Sequence, residues 1–211
     1  MPTLFATPLS ANARKPLAVA DHLGLQIEVR EVNVYAGEGR TPEFLSVNPS
    51  GKVPVLTEGD FVLTESNAIL EYLCECAEDS ALWSSDVRER AAISSWLFWE
   101  AAHWQPALTG ILAPHVSHAL LPDVVPAPPA PPEWDAPELA PLLDRIEDVL
   151  ADRAFLAADR LTLADFSVAG MVTYFRSASF PFDARPRFRD WILSIEALPA
   201  WQRSAASLWS E

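Results

Sequence analysis

Apolar positions in the first third of the chain alternate between two spacings. Thr3 to Ala6 is a short apolar run, and Ala13 to Leu23 then repeats at helical spacing up to Gly24, a residue suited to end a helix. From Gln26 to Val34 the pattern returns to every second residue, through Ile27 and Val29, then Val32 and Val34 after a shift, as a strand requires. Pro42 to Val47 reads as one or two helical turns. Val53–Leu56 and Phe61–Thr64 read as a hairpin across Glu58-Gly59-Asp60. Ser66 to Glu78 returns to helical spacing, with Ile69, Leu70, Tyr72 and Leu73 inward. This order of strand, helix, strand, helix, two strands and helix predicts an α/β domain over residues 1–78, one mixed sheet with helices on its faces.

Beyond Asp79 strand signals cease. Residues 86–119 form a long helical stretch that Pro106 and Pro114 should bend. Residues 122–141 hold eight prolines and predict an extended surface connector. Further helices are expected near Glu138–Ala151, Leu163–Ser177, Phe188–Ala197 and Pro199–Leu208, making residues 86–211 an all-α helical bundle domain. In Thr162-Leu163-Ala164-Asp165 the acid stands three residues after a capping threonine, so Asp165 is read as a folding element, not a catalyst.

Composition narrows the function. Half of the 211 residues are hydrophobic, with 8 Trp and 10 Phe, enough for a sizeable core. The net charge is −14; residues 1–79 carry 12 acids and 5 bases and residues 80–211 carry 17 and 10, so each part stands at −7. That even field repels nucleic acid. Arg14, Lys15, Arg40 and Lys52 make local basic spots that suit a small anion, although Arg14 and Lys15 read equally well as solvated surface charges. Cys74 and Cys76 point to nearly opposite sides of a helix and suit neither a redox pair nor a metal. No apolar run approaches the roughly 20 residues of a membrane span, and Met1-Pro2-Thr3 lacks the basic start of a signal peptide, so a cytoplasmic protein is expected.

The chemistry concentrates in Asn48-Pro49-Ser50-Gly51-Lys52-Val53-Pro54-Val55-Leu56-Thr57. Proline cannot donate to a ladder, so a strand holding Val53-Pro54 should lie at a sheet edge with free main-chain groups. Shortly afterwards Thr64-Glu65-Ser66-Asn67-Ala68-Ile69 turns a strand into a helix start, whose N–H groups suit a carboxylate. A free edge beside such a helix end can grip a small peptide. With its Val-Pro and Glu-Ser pairs at this spacing, the chain resembles the cytosolic glutathione transferases, in particular the serine-type, phi- and theta-like members.

That resemblance implies a thioredoxin-like N-terminal domain, a helical C-terminal domain, a homodimer, glutathione as co-substrate and no metal. It also implies attack of the glutathione thiol on a small electrophile. A free thiol has a pKa of about 8.5, and lowering it by ~2 units takes ~2.7 kcal/mol of thiolate stabilisation. In Thr7-Pro8-Leu9-Ser10-Ala11-Asn12-Ala13, Ser10 falls where these enzymes place the hydroxyl that faces sulfur. Asn12 is the alternative: it is a strong helix cap and could itself donate, and with Pro16 close behind, the helix would begin at Asn12 or Ala13, or kink. By the same resemblance, Val53 and Pro54 present the main chain to the cysteinyl moiety, Glu65 meets the γ-glutamyl ammonium, and Ser66 seats its carboxylate. Arg40 and Lys52 meet the glycyl end, with Gly39 where a His contact is common. Leu9, His103 and Tyr174 would stand at the mouth of the electrophile pocket. Two other readings are a non-catalytic binding or regulatory protein of this fold, and a glutathione-dependent peroxidase or isomerase, the last without the usual Ser-Ser-Cys start.

Overall fold

The first strand, β1 (Thr3–Ala6), buries Leu4 and Ala6 on one face and leads directly into α1 (Ala11–His22). The computed structural model describes residues 1–77, 81–128 and 130–206. The helix starts earlier than its apolar spacing suggests. Ser10, not Asn12, is the N-cap, its Oγ accepting from the Ala13 N–H at 3.4 Å. Pro16 lies inside α1 without ending it. Next comes β2 (Glu28–Glu31), parallel to β1 with Thr3 opposite Glu28. It is shorter than the expected Gln26–Val34, because Asn33 Oδ1 accepts from the N–H groups of Tyr35 and Ala36 and so starts a turn. Thr41 caps the short α2 (Pro42–Val47).

The hairpin is β3 (Val55–Glu58) and β4 (Phe61–Leu63). Among the described residues the sheet has the order β2-β1-β3-β4, with β3 antiparallel to both neighbours. One expectation is corrected here: β3 is an interior strand, not an edge. Pro54 has no N–H to continue a ladder, so pairing begins at Val55 and the segment just before it is what stays free. The Val53–Pro54 bond is cis. Helix α3 (Ser66–Cys76) follows, with Glu65 as N-cap; Glu78, expected at its end, lies outside the described residues.

The remaining chain is helical. α4 (Val87–Trp99) passes through a π-helical turn, Glu100–Trp104, into α5 (Gln105–Leu120). The break in regularity therefore precedes Pro106, whereas Pro114 is carried within α5. The proline-rich connector is not wholly a surface strap: Trp134 is buried, with its ring 4.9 Å from Phe175 and 4.8 Å from Phe180. Then come α6 (Ala140–Val149), α7 (Leu163–Val172), α8 (Pro186–Glu196) and α9 (Pro199–Arg203), which stops before Leu208, itself outside the described residues. Every residue of α7 is buried, so its moment is small and periodicity could not mark its end; from Thr173 to Ser179 the chain turns by i→i+3 bonds. Asp165 accepts from the Thr162 and Leu156 N–H groups, the Thr162 hydroxyl and the Trp191 indole, which is the expected folding role. Burial pushes its carboxyl up and these four donors pull it back.

α1 packs against α3 on one side and against α7 and α9 on the other. Its two basic residues are fully enclosed there, so neither the anion-facing nor the solvated reading of Arg14 and Lys15 holds. The Arg14 guanidinium donates to the Trp201 carbonyl, Thr173 Oγ1 and Ser204 Oγ, and stacks 4.1 Å from the Trp201 ring centroid. Burial lowers its pKa to about 10. Lys15 pairs with Glu100 at 2.7 Å, both side chains essentially without solvent contact.

Candidate functional site

Two cavities meet where the sheet half faces the helical half. The larger, about 460 Å³, is bordered by the Asn48–Pro54 loop, the start of α3 and the α4–π junction. Its size falls within the usual range for a small-ligand site. The loop is shaped by its own sequence. Asn48 Nδ2 donates to the Lys52 carbonyl at 2.8 Å, while Asn48 Oδ1 accepts from the Ser50 N–H and hydroxyl. The Gly51 N–H closes a turn on the Asn48 carbonyl. Gly51 has φ +68°, and a Cβ there would stand 2.6 Å from the Gly39 carbonyl oxygen; a Cβ on Gly39 would stand 2.4 Å from that of Gly51. The two loops touch backbone to backbone, which is why a side chain at position 39 is not accommodated. The Arg40 guanidinium rests beside Gly51, at the rim and outside the cavity lining, whereas Lys52 lines the cavity.

Across the cavity, Glu65 holds φ +68° and ψ 116°, a conformation costly for a residue with a side chain. It aims the start of α3 at the cavity, where the N–H groups of Ser66, Asn67 and Ala68 precede the first intrahelical bond from Ile69 to Glu65. Glu65, Ser66 and Glu71 all line the space, and burial raises the Glu71 carboxyl. Val53 and Pro54 line the same cavity; among the described residues the Val53 N–H and C=O have no main-chain partner. Asn67 and Glu100 close the floor. Asn67 Nδ2 donates to the Leu97 carbonyl and to Glu100 Oε2 at 3.0 Å, and the Ser167 hydroxyl donates to Asn67 Oδ1 at 2.8 Å. Glu100 in turn receives Lys15, so α1, α3, α4, the π turn and α7 are tied together at the cavity.

The smaller cavity, about 230 Å³, lies along α5 and the end of α7. Leu112, Val116, Met171 and the rings of Tyr35 and Tyr174 line it, without a charged side chain. Ser10 opens into this space, and Asn12 lines both cavities, its Oδ1 accepting from the Ser66 hydroxyl at 3.5 Å. Ser10 Oγ accepts from Ala13 and keeps its own proton to donate. Tyr174 is buried, and burial with the Tyr35 phenol alongside holds its pKa well above the ordinary value. His103 is exposed on the π-helical turn and lines neither cavity; the π turn directs Trp104 inward in its place. The Leu9 side chain is also outside both linings, though its carbonyl accepts from Tyr174. Among the sequence-derived site residues, the structure thus brings together Ser10, Asn12, Lys52, Val53, Pro54, Glu65, Ser66 and Tyr174. Sequence reasoning missed Asn48, Tyr35, Glu71, Asn67, Glu100 and Gln105. Of these, only Asn48 carried a local signal, as the head of an Asn-Pro-Ser-Gly turn.

Among the described residues no group of three or more His, Cys, Asp or Glu could hold a metal, and no helix is long and apolar enough to cross a membrane. Comparison with known proteins gives a consistent answer. Residues 2–75 match the domain family described as glutathione S-transferase, N-terminal domain, and residues 132–194 its C-terminal domain counterpart. Glutathione S-transferase 3 of Zea mays is 33% identical over 97% of this chain and 93% of its own. Glutathione S-transferase theta-2 of Homo sapiens is 32% identical over 92% of this chain and 80% of its own. The solved structure of human glutathione transferase theta-2, in complex with glutathione, superposes with a TM-score of 0.86 at 30% identity, covering 100% of this chain and 88% of that one. A glutathione S-transferase-I bound to lactoylglutathione gives 0.81 at 26% identity, over 97% and 98% of the two chains.

Proposed function

The chain belongs to the glutathione S-transferase family, and we propose that its larger cavity holds glutathione with the sulfur at the junction of the two cavities. The protein is an enzyme of that family, with glutathione as co-substrate. The γ-glutamyl carboxylate seats on the Ser66 hydroxyl and the α3 N–H groups, and its ammonium faces Glu65. The free main chain of Val53, held by Pro54, pairs with the cysteinyl moiety, and Lys52 with Arg40 at the rim meets the glycyl carboxylate. The uncharged cavity beside Ser10 takes the electrophile. The single observation that carries this reading is that a free Val53 main chain and the α3 N-terminus line one and the same cavity.

Ser10 is the residue that faces sulfur in this reading. Its hydroxyl proton stabilises the thiolate, the thiol proton passes to water, and the thiolate then bonds to the electrophilic centre while the leaving group departs with its electron pair. Asn12 is the second candidate because it lines both cavities. Ser10→Ala and Asn12→Ala, assayed with a chlorodinitrobenzene, separate the two. The expected result is at least about a tenfold fall in kcat for Ser10→Ala with little change in glutathione Kd, a loss of about 1.4 kcal/mol. Full activity in Ser10→Ala with loss in Asn12→Ala moves the role to Asn12.

The domains run over residues 1–78 and 86–211, with the connector at 122–141. A cytoplasmic, detoxifying homodimer fits the family. The exposed Phe98, 75% accessible on α4 beside the larger cavity, supports association through that face. Equilibrium sedimentation tests it, and a monomer at micromolar concentration would refute it.

A further inference from the structure

Ala11 is the first residue of α1, so its N–H has no acceptor within the helix. Leu9, two residues earlier, lies in the turn between β1 and α1 with its carbonyl outside any strand. Both groups are buried or half-buried at the junction of the two halves, where an unpaired polar group would be costly. A single atom satisfies them. The Tyr174 hydroxyl accepts from the Ala11 N–H at 2.8 Å and donates to the Leu9 carbonyl at 2.9 Å. The residue between those two contacts is Ser10.

We propose that Tyr174 is a positioning residue that sets the orientation of the Ser10 hydroxyl from the helical half of the molecule. The inference rests on the reading that Ser10 faces the glutathione sulfur. A hydroxyl has one proton and two lone pairs. The proton is spent on Leu9 and one lone pair on Ala11. Tyr174 therefore has no donor left for sulfur, and acts through the turn rather than on the thiolate. Its ring contributes to the lining of the electrophile cavity, together with Tyr35, Met171 and Leu112. One side chain thus touches both the site of the incoming electrophile and the backbone that carries Ser10.

Beside it, Thr173 receives the Arg14 guanidinium, four residues after Ser10 on α1. Arg14 anchors the body of the helix, and Tyr174 anchors the turn ahead of it. Without Tyr174 the helix would remain docked, and the Ser10 turn would be held only by local bonds, the Ser10 N–H on the Thr7 carbonyl and the Arg14 N–H on the Ser10 carbonyl, with no tie to the helical half.

The test is the thiol pKa of bound glutathione, read from thiolate absorbance, together with kcat and glutathione Kd. The proteins compared are the wild type, Tyr174→Phe, Ser10→Ala and the double variant. Phe keeps the buried ring and removes only the hydroxyl. In Tyr174→Phe the bound thiol pKa should rise, kcat should fall between about three- and tenfold, as one lost hydrogen bond predicts, and Kd should stay within about twofold. In the Ser10→Ala background the same change should add nothing to the pKa. A Tyr174→Phe enzyme with unaltered thiol pKa overturns the inference, as does a further rise in the double variant. If Ser10→Ala alone leaves the thiol pKa unmoved, the assignment of Ser10 fails instead, and the two failures are distinguishable. Hydrogen exchange of the Ala11 amide in the wild type needs no variant: it should be protected although it opens a helix, and exchange at the free rate overturns the inference.

Discussion

The Lys15–Glu100 pair allows a quantitative test of what joins the two halves. Lys15 lies on α1 and Glu100 on the π turn after α4, and their side chains are 0% and 1% accessible at 2.7 Å. At an effective dielectric of roughly 20, their attraction is about 6 kcal/mol. Much of that only offsets the cost of removing two charges from water. Breaking the pair is different from never having made it. Lys15→Met keeps a stem of similar length but strands the Glu100 carboxylate, whose remaining donor is the neutral amide of Asn67. The loss expected for such an orphaned buried charge is about 3–5 kcal/mol. For a chain of this size that corresponds to a fall in Tm of roughly 6–20 °C. Urea unfolding at fixed protein concentration measures it, since association would otherwise shift the midpoint. Lys15→Met with Glu100→Gln removes both charges while leaving an amide oxygen for Asn67, and should recover at least half of the loss. A single variant within about 1 kcal/mol of wild type would refute the reasoning. So would a double variant no more stable than the single one.

Gly39→Ala should lower glutathione affinity more than it lowers Tm, because its Cβ would meet the Gly51 carbonyl at 2.4 Å and displace the loop that presents Lys52 and Val53. Calorimetric titration reads this, and an unchanged Kd would contradict the loop contact. His22, packed edge-on against Phe166 though largely exposed, is held somewhat below its ordinary pKa by partial desolvation, with Asp21 opposing. The unfolded chain then takes up a proton at a pH where the folded one does not, so the stability His22 contributes is present above the unfolded value of about pH 6.5 and is lost as pH falls from there through the lower folded value. Tm should decline between about pH 7.5 and pH 5.5, and His22→Gln should flatten that decline. An equal slope in both proteins assigns it elsewhere.

Local patterns along the chain were enough for the secondary structure that matters here. The short apolar run Thr3–Ala6, helical spacing in Ser66–Cys76 and the Thr162–Asp165 box each depend on residues within one turn or one strand of one another. The Val53-Pro54 and Glu65-Ser66 motifs were legible for the same reason, since a missing N–H and a helix start are properties of the residue itself. Boundaries were less legible where a competing local bond intervened. Asn33 ends β2 early, and the choice between Ser10 and Asn12 as cap was close on propensity alone.

Tertiary packing decided what no local pattern encodes. Arg14 and Lys15 read as surface charges because nothing nearby in sequence neutralises them; their partners are Trp201 and Ser204 for one and Glu100 for the other, far along the chain. The same holds for Tyr174 reaching Leu9 and Ala11, and for Gly39 meeting Gly51. Sequence determined the elements and the chemistry each could offer, because those follow from short-range sterics and hydrogen bonding. Only the fold decided which of them share a cavity, because burying a charge or a backbone group is worthwhile only once a distant partner arrives to satisfy it.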